Sequence, residues 1–404
     1  MITVNTNINT NVNTNANTNV NTNKITELFD SYDDTQKILS DFDLYFEYIN
    51  AYMDTIFSTF NKKCSKFKNI NYIKQLIPKL EKKYGGSYKT GSKKMSYKLF
   101  ILHVKSDYTI SLSDIDKGKM TNNSDDRFLH IYNMVIDTLK YCKTKGLDVP
   151  NTSLHMFIAD RYFFELELEG IRFPFIVIST PANSYYPLFP DNTFKCFSFD
   201  QRFGKKCSDW DETKKLIRDN LKDVDDDRLL FKGKNTSKYR TSVRKFFNIH
   251  QNKKLMDIQL IEDGLYEPMY NFSRYKYFLD LPGNYEWSNR LPRLLLMNRV
   301  TFKFTNDIKE YSEHPIIAFT DLLIRKNKHF IEIKRELSNK KKNNEPIIKK
   351  VIKNISKRLE KLNHNDKKYN QIASAGHKLM NTFSNTHIHV YIYLLIVNNH
   401  KFFG

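Results

Sequence analysis

The sequence predicts an α/β fold in which a doubly wound parallel sheet follows a helical N-terminal extension. Two observations carry this. Short apolar runs of strand length alternate with segments of helical period through the middle and the C-terminal portion, and two of those runs pass straight into a glycine-containing turn followed by a helix. Composition sets the bounds: 404 residues allow two or three domains. A 40% hydrophobic and 14% aromatic content excludes a disordered basic protein despite a net charge of +20. No run approaches the roughly 18 uninterrupted apolar residues of a membrane span, so no transmembrane segment is expected.

From the N-terminus, residues 5–24 are asparagine-threonine tetrads closed by Ile8, Val12, Ala16, Val20 and Lys24. Such polar repeats bury too little apolar surface to offset their ordering entropy, which predicts a disordered tail over 1–24. They also lack the apolar core of a secretory signal. Cys64, Cys142, Cys196 and Cys207 lie far apart without a C-x-x-C pair, which points to a reducing, cytoplasmic location and away from a zinc site. Residues 25–90 read as a helical extension, with Leu44, Phe46, Ile49, Tyr52, Ile56 and Phe60 at helical spacing. Strands are expected at Tyr97 to Val104 and Tyr108 to Leu112, then a helix through Phe128 to Cys142. Buried strands follow at Leu154 to Ile158, ending beside Asp160, and at Phe175 to Ile178, ending in Ser179-Thr180-Pro181. In open α/β sheets ligands gather beyond the carboxyl ends of strands, which marks Asp160 as a candidate functional residue.

The next unit is strand Leu229 to Phe231, basic glycine loop Lys232-Gly233-Lys234-Asn235-Thr236-Ser237, and a helix carrying Tyr239, Val243, Phe246 and Phe247 on one face. Thr236 or Ser237 can cap that helix. Its free amides and dipole, with Lys232, Lys234 and Arg240, make an anion site suited to phosphate. A plain βα turn with exposed lysines is the alternative for one such unit. A second unit weighs against it: strand Tyr275 to Leu281, turn Pro282-Gly283-Asn284, cap Ser288, helix Arg290 to Asn298, and strand Val300 to Phe304. If the two strands are neighbours, Arg240 and Arg290 face one diphosphate. Neither loop carries the P-loop or the dinucleotide fingerprint.

At these residues the chain resembles glycosyltransferase family 90, the capsule-associated and lipopolysaccharide-modifying transferases that include protein O-glucosyl- and O-xylosyltransferases. The stretches are LHMFIADRY from Leu154, LFPDNTF from Leu188, FKGKNTSKYR from Phe231, YKYFLDLPGNYEWSNRLPRLLLMNRV from Tyr275 and IASAGHKLM from Ile372. The resemblance implies a GT-B-like architecture of two Rossmann-like domains facing a cleft. Residues 91–222 would form the acceptor-side domain and 223–371 the nucleotide-sugar domain, with 372–404 returning to pack on the first as a helix. It also implies inverting, metal-independent transfer, without a cofactor, from a nucleotide-sugar such as UDP-glucose or UDP-xylose to a hydroxyl of a protein or glycan. In that scheme Asp160 is the base, and Lys232, Gly233, Thr236, Ser237, Arg240, Gly283, Ser288 and Arg290 hold the diphosphate. Glu310 would accept bonds from the ribose. Two departures stand out: Asp160 precedes Arg161 where the family places arginine first, and Lys232 stands where an arginine is usual.

Other constellations read as structural. The acidic run Asp223, Asp225, Asp226 and Asp227 is expected to be a solvated loop, because adjacent carboxylates repel and no other ligands are near. His387 and His389 lack the third ligand zinc needs. Trp210 and Trp287 are expected as packing anchors, and periodicity leaves Val390 to Val397 open between strand and helix. The charge also admits a nucleic-acid-binding protein, but no recognition motif accompanies it and the lysines are interleaved with acids, so nucleic acid is not the expected partner. A third alternative is an inactive transferase-like scaffold.

Overall fold

The computed structural model describes residues 34–60, 75, 97–114, 122–159, 167–168, 171–172, 175–181, 186–191, 193–195, 199–200, 205–206, 209–234, 240–241, 243–244, 254–261, 267–281, 290–306, 316–335 and 345–403. It is a mixed α/β fold with two principal sheets. Two helices come first, α1 (Thr35–Ser40) and α2 (Phe42–Ser58). Asp41 starts α2 by accepting the Leu44 N–H, and Tyr45, Tyr48, Ile49, Tyr52, Met53, Ile56 and Phe57 form its buried stripe.

The first sheet contains β1 (Tyr97–Val104), β2 (Ile110–Asp114), β3 (Thr152–Ala159) and β4 (Ile176–Val177), in the order β2-β1-β3-β4. Helix α3 (Asn122–Lys145) joins β2 to β3. The elements fall where their apolar runs predict, but their directions differ from a parallel sheet. β1 pairs antiparallel with both β2 and β3, and only β3 with β4 is parallel. β2, α3 and β3 therefore form a crossover around a reversed central strand. An apolar run buried on both faces carries no mark of its direction, so this reversal is invisible to periodicity.

The second sheet holds β5 (Asp226–Lys234), β6 (Met256–Ile261), β7 (Tyr275–Asp280), β8 (Val300–Asn306) and β9 (Ile331–Arg335). Its order is β6-β5-β7-β8-β9 and every pairing is parallel. The first strand thus lies between the second and the third, a doubly wound arrangement whose winding reverses between β5 and β7. On one face Leu229, Phe231, Tyr277, Leu279, Phe302 and Ile333 pack against α6 (Glu345–Asn363) and α7 (Asp366–Thr382). On the other, Leu230 and Phe278 join a larger core with the first sheet and the short helix α5 (Leu291–Leu296). The acidic run is not all loop: Asp226 opens β5, and its carboxylate binds Arg228 through Nε at 2.9 Å and Nη2 at 2.6 Å. That guanidinium offsets the repulsion that argued for solvation.

Two features join the halves. Ser179–Pro181 pairs antiparallel with Ile316–Ala318, a ladder between the segment after β4 and the β8–β9 connection. The chain's end, α8 (Asn385–Phe403), lies against α2, α3 and β3. The ambiguous run Val390 to Val397 is helical because α8 is enclosed on several sides, and an enclosed helix is apolar around most of its girth. Tyr45 Oη donates to His387 O at 2.9 Å and Tyr391 Oη to Leu188 O at 2.6 Å. His387 Nε2 lies 2.9 Å from Leu39 O and His389 Nδ1 lies 3.2 Å from the Thr138 hydroxyl, so packing occupies both rings. Helix α4 (Trp210–Asp219) is anchored by Trp210, whose Nε1–H donates to Phe383 O at 3.1 Å; Trp287 lies outside the described residues. Among the described residues no helix is long and apolar enough to cross a membrane.

His329 gives the fold a pH dependence. The ring is buried, its Nδ1 accepts the Arg325 N–H at 2.9 Å, and burial, then the charges of Lys328 and Arg325, lower its pKa to about 3. The unfolded chain protonates this ring near pH 6.5, so below that value it binds the proton that the folded chain refuses, and stability falls as the pH drops. Urea titrations at pH 7 and pH 5 are expected to differ by about 1–2 kcal/mol through this group. His329→Asn keeps an acceptor for Arg325 and is expected to remove that part of the difference.

Candidate anion-binding site

The carboxyl ends of β5 and β7 meet where the winding of the second sheet reverses, the place where open α/β sheets form a crevice. β5 ends in Phe231-Lys232-Gly233-Lys234, and β7 ends at Asp280, with Leu281 following it. Arg240 lies in a helical turn after β5, and Arg290 immediately precedes α5. Both guanidinium groups come back to this point. Arg240 Nη1 donates to Lys234 O at 2.7 Å and Nη2 to Leu281 O at 3.0 Å. Arg290 Nη1 donates to Lys232 O at 3.1 Å and Nη2 to Leu281 O at 3.1 Å, with Asp280 Oδ1 at 3.5 Å. The Phe231 ring lies beneath the pair, its centroid 5.2 Å from Arg240 Cζ and 4.8 Å from Arg290 Cζ.

Electrostatics follow from this packing. Arg240 is 7% exposed, and burial, then the charge of Arg290, lowers its pKa to about 9, with Asp280 opposing. At neutral pH it stays charged. Lys232 adds a third cation, its Nζ 3.2 Å from Glu267 Oε2. Among the described residues, the cations Lys232, Lys234, Arg240 and Arg290 and the carboxylates Asp280 and Glu267 gather at this strand end. On the neighbouring strand Lys303 is paired with Asp321, whose other oxygen accepts the Ala318 N–H at 3.0 Å. Clustered cations at the carboxyl ends of parallel strands favour a bound anion.

Gly233 explains how Arg290 reaches β5. A Cβ at this position would stand 2.8 Å from Arg290 Nη1 and 3.1 Å from Phe231 Cζ. The first of these is the end of a flexible side chain, so an added methyl displaces the guanidinium rather than the strand. Gly233→Ala is expected to leave the melting temperature within a few degrees of the wild type and to weaken anion binding at least about fivefold, by misplacing one charged donor. Thermal melts together with a phosphate or diphosphate titration check both parts.

Of the residues the sequence singled out, Lys232, Gly233, Arg240 and Arg290 come together here. Asp160, Thr236, Ser237, Gly283, Ser288 and Glu310 lie outside the described residues. Helix α5 begins at Leu291 rather than Arg290, and Arg290 serves as its N-cap without a side-chain capping bond, which leaves the guanidinium to span the sheet. Sequence reasoning missed Asp280, Phe231 and Glu267. Asp280 had a signal: it is a carboxylate at the carboxyl end of the apolar run Tyr275–Asp280 and is 2% exposed. Phe231 had none, because a strand phenylalanine is core by default. No protein-family model matches this chain, and no curated protein sequence matches it.

Proposed function

We propose that this chain is a GT-B-like, inverting, metal-independent glycosyltransferase that moves a hexose or pentose from a nucleotide-sugar, a uridine diphosphate sugar, to an acceptor hydroxyl on a protein or glycan. One observation carries the reading: Arg240 and Arg290, from successive crossover units, converge over Phe231 at the switch point of a doubly wound parallel sheet. Both guanidinium groups now donate to strand-end carbonyls, and in this reading two phosphoryl groups take over part of those donors on binding. The resemblance to glycosyltransferase family 90 supplies the rest.

In this scheme the acceptor oxygen attacks the anomeric carbon in line as the bond from that carbon to the diphosphate oxygen breaks. Asp160 takes the hydroxyl proton, and the leaving oxygen's charge passes to the diphosphate. Arg240 and Arg290 stabilise that charge as it grows, with Lys232 and the hydroxyls of Thr236, Ser237 and Ser288 beside them. Gly233 leaves room for the Arg290 guanidinium, Gly283 lets the backbone approach the phosphates, and Glu310 holds the ribose.

A thermal-shift panel of nucleoside diphosphates and their sugars tests the reading, since a ligand that binds only the native state raises its melting temperature. A selective rise with uridine diphosphate, together with sugar transfer lost in Asp160→Asn, is the expected result. No shift across the panel overturns the proposal, and transfer that survives Asp160→Asn overturns the base assignment.

A further inference from the structure

A second feature stands apart from the crevice and does not depend on the transferase reading. Helices α6 and α7 form a hairpin across one face of the parallel sheet, and residues 345–382 carry nine lysines and arginines against three acids. The imbalance is ordered. Lys349, Lys353, Lys357 and Lys361 follow one another at four-residue spacing along the exposed edge of α6, a rise of about 6 Å per step. Among the described residues Lys353, Lys357 and Lys361 have no ion-pair partner. The ridge leads into an open cleft of about 990 Å³ lined in part by Arg358, Lys361, His364 and Lys368, with Glu360 as its one carboxylate among the described residues. Arg358 is held there through Nη1, which donates to Glu332 O at 2.8 Å. Like charges four residues apart oppose the helix, so the arrangement costs stability.

What the ridge lacks narrows its partner. The apolar side of α6, Ile348, Ile352, Ile355, Leu359 and Leu362, is spent on the sheet, so it is not free to enter a bilayer as an interfacial helix must. Among the described residues none of the exposed large hydrophobic side chains lies on this hairpin, so it lacks the aromatic or aliphatic anchors of a protein interface. A regular row of point charges without anchors fits a regular polyanion. We infer that α6 and α7 form a docking surface for the phosphodiester backbone of a nucleic acid, held by charge and without reading of bases.

The test is fluorescence anisotropy of the full chain with a labelled oligonucleotide of mixed sequence, single-stranded and as a duplex, between about 50 and 200 mM salt. The triple variant Lys353→Gln, Lys357→Gln, Lys361→Gln is compared with an equally charged control, Lys37→Gln, Lys105→Gln, Lys143→Gln, whose lysines are exposed elsewhere. The ridge variant is expected to bind at least about tenfold more weakly, and the slope of log affinity against log salt is expected to flatten by about 2 on the single strand. The control should retain both. A melting temperature of the ridge variant within a few degrees of the wild type shows that it folds. Absence of binding to either oligonucleotide, or equal losses in the two variants, overturns the inference, as does a preference for phosphatidylserine vesicles over both nucleic acids.

Discussion

Arg290→Lys is expected to weaken uridine diphosphate roughly ten- to a hundredfold while the chain stays folded, measured by calorimetric titration. Lysine keeps a positive charge near Asp280, which is buried at the end of β7, so no uncompensated carboxylate is left in the interior. What is lost is the fork. Arg290 now bonds Lys232 O on β5 and Leu281 O just after β7 while lying over Phe231, and an ammonium cannot reproduce two directed donors from one planar group. A hydrogen bond to a charged group contributes about 1.5–3 kcal/mol, which sets the expected range. Arg290→Ala is the poorer experiment, because it strands Asp280 and mixes a folding defect with a binding one. An affinity unchanged in Arg290→Lys would mean that this arginine only staples two strands together.

The second large effect concerns stability. Trp210→Ala is expected to lower the unfolding free energy by about 3–5 kcal/mol, read from urea denaturation. Trp210 has no exposed surface, and its ring centroid lies 5.1 Å from that of Phe194. Phe194 in turn touches Phe319 and Phe383, each at 5.4 Å, so one cluster ties α4 to the corner between α7 and α8 and to the β8–β9 connection. Removing the indole leaves a cavity that these fixed rings cannot close. Its hydrogen bond is the smaller part of the loss, because Lys214 Nζ also donates to Phe383 O at 2.8 Å. Trp210→Phe is accordingly expected to cost far less, about 1–2 kcal/mol. Equal losses in the two variants would show that the donor, and not the packing, holds the corner.

Local signals read well in this chain, and directions and distant partners did not. The strand leading to Gly233 was legible from its apolar run, but it continues through Lys234, so Lys232-Gly233-Lys234 is strand and not loop, and the helix start expected at Thr236 or Ser237 lies outside the described residues. The strands beginning at Tyr275 and Val300 were legible from their apolar runs too. Asp280 was legible in principle by the rule that marked Asp160. The target of Arg290 was not: it bonds a carbonyl of β5, far away in the chain, and only the sheet order brings Lys232 to it. The reversed β1 escaped for a related reason, since pairing direction depends on the connection and leaves no trace in an apolar run. The helix at Val390 to Val397 needed its neighbours α2, α3 and β3 to be known before its uniform apolarity made sense.

The claim at the centre is that Arg240 and Arg290 serve one diphosphate together, and a double-mutant cycle of uridine diphosphate binding addresses it directly. Wild type, Arg240→Lys, Arg290→Lys and the double variant are titrated under one set of conditions. Two donors on a shared ligand should be coupled, with the double loss differing from the sum of the single losses by more than about 0.5 kcal/mol. Strictly additive losses, or a wild type that binds no nucleoside diphosphate, would contradict it.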